Sequence, residues 1–146
     1  MSVLDRAVLA ERTIAVERHL ARVADRLPSS PADFEPSSDA SDAVVLHLWQ
    51  ATQIVIDVAM GACLALRLGT PGSYADAFRR LQNAGIIEAA LADRLVRAAG
   101  FRNLVARAYE SLDLKRVHQA ATDGPDDLVQ FLGRLENHAT GRPVAE

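Results

Sequence analysis

Residues 39–66, DASDAVVLHLWQATQIVIDVAMGACLAL, decide the fold. Val44, Leu48, Ile54, Val58, Cys63 and Leu66 recur at helical rather than alternating spacing, the pattern of a helix with a buried face. Asp39 or Ser41 is expected to cap its start, because a short side-chain oxygen accepts from the free N–H groups of a first turn. Gly69 is expected to stop it. This segment is the longest and most apolar in the chain, so it belongs at the centre. Its apolar stretch Ile54–Leu66 is interrupted by Asp57 and is too short to span a bilayer, so a soluble protein with no membrane partner is expected.

Working outward, Val3, Ala7, Ile14, Val16, Leu20, Val23 and Leu27 read as one amphipathic helix ended by Pro28, and Pro28–Ser38 as a loop. Thr70-Pro71-Gly72 is a turn, and Ser73 followed by Asp76 has capping-box spacing for a short helix to about Gln82, closed by Gly85. A further helix is expected from about Ile87 through Ala108, with Gly100 as its weak point. Leu112–Ala121 reads as another, Asp123-Gly124-Pro125 as a break, and Leu128, Phe131, Leu132 and Leu135 as the last. No stretch alternates at period two, and aromatic residues make up only 5%, so strands are not expected. The expected fold is all-α: an up-and-down bundle of five to six helices. Residues 1–138 form one domain in this reading, with 139–146 as a flexible tail.

The chain has 146 residues, 49% of them hydrophobic, and a formal net charge of −3. That charge argues against a broad basic face holding duplex nucleic acid, so no DNA partner is expected and any RNA contact must be local. The single cysteine, Cys63, excludes a disulfide framework and fits a reducing, cytoplasmic location. The charged start MSVLDRAVLAER has no apolar core for a signal peptide. His19, His47, His118 and His138 show no paired ligand spacing, so no metal site is expected. Cys63, Trp49, Phe78 and Phe131 read as packing residues.

Chemistry concentrates in Gly100-Phe101-Arg102-Asn103-Leu104-Val105-Ala106-Arg107-Ala108-Tyr109. At about 100° per residue, Arg102 and Tyr109 fall on nearly the same helix edge and can share one surface. Arg107 lies about 140° round from Arg102, so the two guanidinium groups converge only across a bend or between two helices. On these residues alone the plainer reading is favoured: two solvated arginines and an interfacial tyrosine on an amphipathic helix. Asp57, on a largely apolar helix, either faces solvent or is paired, with Arg102 the expected partner and Gln53 one turn earlier sharing the network.

The order Gln53 to Asp57, Pro71 to Tyr74, Phe78, Leu81, Gly85-Ile86-Ile87, then Gly100-Phe101-Arg102-Asn103-Leu104-Val105 and Tyr109 resembles the HepT-like group of HEPN domains. These are the toxins of HepT/MntA type, or type VII-like, toxin–antitoxin pairs. The resemblance implies a homodimeric helical bundle that cleaves RNA without a metal or cofactor, with a motif of Arg, four residues, His, one residue, Tyr. Arg102 matches the motif arginine, Asn103 the polar residue after it and Tyr109 the motif tyrosine; Arg107 stands where the family has histidine. In the family the 2′-hydroxyl attacks the adjacent phosphate, the arginine stabilises charge and the histidine exchanges protons. A guanidinium stays protonated to about pH 12 and only donates, so Arg107 implies an impaired ribonuclease. Either the histidine has been replaced because the active toxin harms its host, which the intact remainder of the motif favours, or this is a paralogue that has abandoned cleavage. The resemblance further implies that a MntA-like nucleotidyltransferase antitoxin, using ATP and Mg²⁺, attaches AMP to Tyr109. The alternative is a non-catalytic helical module that binds a nucleotide or protein.

Overall fold

A computed structural model describes residues 4–141. Within them the chain forms five α-helices, α1 (Arg6–Arg26), α2 (Asp39–Ala65), α3 (Tyr74–Asn83), α4 (Ala89–Ala108) and α5 (Leu114–Ala139), with short 3₁₀ turns at Pro31–Asp33 and Tyr109–Ser111 and no strand. Val3 and residues 142–146, assigned above to the first helix and the tail, lie outside the described residues.

α2 is the core helix and packs against each of the other four. By length and hydropathy it is long enough to cross a bilayer, unlike the shorter Ile54–Leu66 stretch, but Val44, Val55, Ile56, Ala59 and Cys63 are buried among its neighbours. Its start differs from expectation by one residue. Ser38 is the cap and Ser41 returns the bond to the Ser38 N–H, a reciprocal box that leaves Asp39 and Asp42 in the first turn, where the positive end of the helix dipole favours carboxylates. It ends at Ala65, ahead of Gly69, as Arg67 turns left-handed at φ 59°.

The largest departure from expectation is α5. Asp123-Gly124-Pro125 does not break it; the helix runs unbroken past Pro125. Proline withholds one N–H from the Ala121 carbonyl and costs about 3 kcal/mol in a helix interior. The face of α5 carrying Val117, Ala121, Leu128, Phe131, Leu132 and Leu135 is buried, and at roughly 1.5–3 kcal/mol for each large apolar side chain that burial outweighs one lost bond. Phe131 meets Phe78 of α3 edge-on at 5.4 Å. α4 likewise continues through Gly100.

The α2–α3 connection fixes where α3 starts. Gly69 has φ +93°, and a Cβ there would stand 2.7 Å from Arg80 Nη1. Glycine is favoured there by that left-handed backbone and by the guanidinium beside it, which donates to the Leu68 carbonyl at 2.8 Å and to Asp76 at 2.8 Å and would have to shift for a side chain. Asp76 in turn accepts from the Gly72 N–H, and Ser73 caps the Asp76 N–H as its spacing predicts. Tyr74 is thereby set at the first position of α3.

Candidate functional site

The site lies along the seam where α4 runs antiparallel to α2. Tyr109, just past the end of α4, meets Asp42 in the first turn of α2, and seven residues inward on both helices Arg102 meets Trp49. Equal spacing on both sides is what two antiparallel helices in register require.

Arg102 is partly buried where three helices converge. Its guanidinium carbon is 4.7 Å from the centre of the Trp49 ring and 5.5 Å from that of Tyr74, both within cation–π range. Nη1 donates to Asn103 Oδ1 at 3.1 Å. A planar guanidinium held against aromatic faces keeps its N–H edge for acceptors. Among the described residues, the buried side-chain atoms without a hydrogen-bond partner are Arg102 Nε and Gln53 Oε1. One is a donor on α4 and the other an acceptor on α2, one turn beyond Trp49. Leaving such groups unmade costs about 1–3 kcal/mol each, a cost the packing around them sustains.

Asp57 does not partner Arg102. It is exposed and accepts from Gln53 Nε2 at 2.9 Å, with no ion pair to Arg102 among the described residues. Arg102 is anchored over Trp49, eight residues and so about 12 Å back along α2. The Gln53–Asp57 link itself is as the spacing predicts. Arg107 is exposed and makes no ion pair or side-chain hydrogen bond among the described residues.

Tyr109 does not sit beside Arg102 either, since seven residues of helix separate them by about 10 Å. Its Oη donates to Asp42 Oδ1 at 3.0 Å. Partial burial first, and the Asp42 carboxylate second, push the phenol above its usual pKa, so it holds its proton at neutral pH. The two ends remain connected, because Trp49 also lines a groove with Asp42, Leu46, Val105, Ala106 and Tyr109. Sequence reasoning missed Asp42, Trp49 and Tyr74 as members of the site. The spacing of 42, 49 and 53, one face of a helix, was the signal present for two of them.

The histidines are less scattered than the sequence suggested. His19 Nδ1 and His47 Nδ1 are 3.0 Å apart between α1 and α2. Burial above all lowers both pKa values, helped at His19 by the charges of His47, Arg22 and Arg18 and at His47 by those of Arg22 and Arg26. No group of three or more metal-ligating side chains occurs among the described residues. His118 is buried and donates from Nε2 to the Pro28 carbonyl at 2.7 Å, fastening α5 to the end of α1.

An all-α bundle with an arginine-bearing fourth helix laid against the core helix is the fold this chain shares with solved HEPN toxins. More particularly, the chain belongs to the ribonuclease HepT-like family, whose model matches residues 16–135. A tri-AMPylated Shewanella oneidensis HEPN toxin in complex with MNT antitoxin superposes with TM-score 0.81 at 23% identity, over 91% of this chain and 98% of that one. A toxin–antitoxin structure with AMP-PNP gives TM-score 0.80 at 23% identity, over 90% and 99%. YutE of Bacillus subtilis, a cytosolic protein of unknown function, gives 0.81 at 18% identity over 99% of both chains. No curated protein sequence matches this chain.

Proposed function

We propose that this chain is the ribonuclease-type toxin of a cytoplasmic toxin–antitoxin pair, held by a nucleotidyltransferase antitoxin that attaches AMP to Tyr109. The observation that carries the reading is the Arg102 guanidinium, fixed over Trp49 and Tyr74 and hydrogen-bonded to Asn103. A cation oriented this way suits a phosphate whose charge grows as an RNA 2′-oxygen attacks it. In that reaction the 2′-hydroxyl loses a proton and the departing 5′-oxygen gains one. Arg107, exposed on the same helix, cannot accept the first proton, so cleavage by this chain is impaired.

Arg107 and Arg102 diverge on one helix, and a second copy of the chain brings them into one cleft. A homodimer is therefore part of the proposal, and it concentrates positive potential in an acidic protein. RNA is the substrate; ATP and Mg²⁺ are used by the partner. An AMP on Tyr109 adds a negative phosphodiester and a bulky base to the groove that Trp49 shares, excluding RNA by charge and volume.

The test is Arg107→His in the full chain. Histidine at this position is expected to raise the RNA cleavage rate by about 10² to 10⁴ and to arrest growth on expression. If the variant neither cleaves RNA nor harms the cell, the chain is a non-catalytic binding module instead.

A further inference from the structure

We propose that Asp42 is the general base for nucleotidyl transfer to Tyr109, so that the toxin supplies part of the chemistry of its own silencing. The proposal rests on the reading of Tyr109 as the modified residue and assigns a role to a residue 67 positions away in sequence.

The geometry is direct. Tyr109 Oη donates to Asp42 Oδ1 at 3.0 Å, within the reach a base needs of the proton it removes. Both residues are exposed, Tyr109 to 47%, so a nucleoside triphosphate held by a partner has access to the phenol oxygen. Asp42 forms no ion pair among the described residues. The walls beside the pair are apolar, with Ala43, Leu46 and Ala106 in the groove, which leaves the carboxylate as the acceptor at the hydroxyl.

The reaction needs such an acceptor. A phenol that keeps its proton at neutral pH is a weak nucleophile toward phosphorus. In the step assigned here, the Tyr109 oxygen forms a bond to the α-phosphorus of ATP while the bond from that phosphorus to the bridging oxygen breaks. Pyrophosphate leaves with its electron pair. The phenolic proton passes to Asp42 and from there to water. A bystander carboxylate at this distance would oppose ionisation of the phenol in the resting protein, whereas a base turns the same contact into a route for the proton as the oxygen–phosphorus bond forms.

Asp42→Asn separates these roles, because the amide oxygen still accepts from the hydroxyl but takes up no proton at neutral pH. With the cognate nucleotidyltransferase, ATP and Mg²⁺, the rate of AMP gain is followed by intact mass from pH 7 to 9.5, alongside Tyr109→Phe and partner affinity. The expected result is a loss of about 100-fold at pH 7 that narrows as pH rises toward phenol ionisation, with partner affinity unchanged. An Asp42→Asn chain labelled at the normal rate while Tyr109→Phe blocks labelling overturns the role of Asp42 alone. A loss equal at every pH, or one that follows weakened partner binding, makes Asp42 a docking contact and also overturns it. Labelling of Tyr109→Phe at the normal rate overturns the Tyr109 reading itself.

Discussion

α2 presents two polar surfaces to its neighbours, and they are built on opposite principles. Toward α1, His47 meets His19, each ring supplying its Nδ1 to the other, while burial and the arginines of α1 lower both pKa values and so favour the neutral forms. Toward α4, Asp42 meets Tyr109 and Trp49 meets Arg102, and the polar contacts are incomplete: among the described residues a buried N–H of that guanidinium lacks a partner, as does a buried amide oxygen of Gln53 on α2. A closed polar contact serves packing, whereas an open one retains capacity for a ligand. That difference, more than total charge, sets the α2–α4 seam apart as the candidate site.

The sharpest way to break the contrast is to remove one arginine from each side. Arg102→Ala is expected to weaken RNA binding about 10- to 100-fold, the equivalent of one charge-assisted hydrogen-bonding group at about 1.5–3 kcal/mol, while Arg22→Ala changes it less than about 3-fold; equal losses in a filter-binding titration would abolish the distinction. Next, Trp49→Leu is expected to weaken RNA binding by about 5- to 30-fold through loss of a desolvated cation–π contact. Trp49→Phe, which keeps an aromatic face, should recover most of it; a phenylalanine variant as weak as leucine would mean that ring stacking does not hold Arg102. Smaller still is Gly69→Ala. It forces a left-handed residue against Arg80 and is expected to lower unfolding free energy by about 1–2 kcal/mol in urea, shifting Tyr74 with the start of α3.

The histidine side gives the weakest effect, visible only as a pH dependence. Both folded-state pKa values lie below the unfolded value of 6.5, so below that pH the unfolded chain binds more protons and stability falls as pH falls. Above pH 6.5 the contribution is complete and flat. Thermal melting from pH 7.5 to 5 should show this decline, and His19→Gln combined with His47→Gln should reduce the slope without altering RNA binding. A double variant with the original slope would place the titration elsewhere.

The helices were legible because each carries its apolar residues at helical spacing, and Ser73, Gly85 and Asp57 with Gln53 behave as short-range rules require. Pro125 was misread for the opposite reason: a local rule about one missing N–H says nothing of how much surface a helix buries once it packs. In the site, Arg102, Asn103 and Tyr109 lie within one turn or two of each other and read directly as a motif. Their partners do not. Asp42 and Trp49 are on another helix, Tyr74 on a third, and His19 and His47 are 28 residues apart, so only the antiparallel register of α2 and α4 shows who faces whom. The expected Arg102–Asp57 pair failed on that same register, with Trp49 claiming the guanidinium two turns earlier.

The bond from Tyr109 to Asp42 ties the exit of α4 to the entrance of α2 through a single hydrogen atom. An esterified phenol has no hydrogen to give, so any group attached to that oxygen removes this bond, and a phosphodiester there would also set a second anion beside the aspartate. Modification of that oxygen and loss of this tie between the two helix ends would therefore coincide, and a probe of the Asp42 carboxylate would register such a mark without touching the tyrosine.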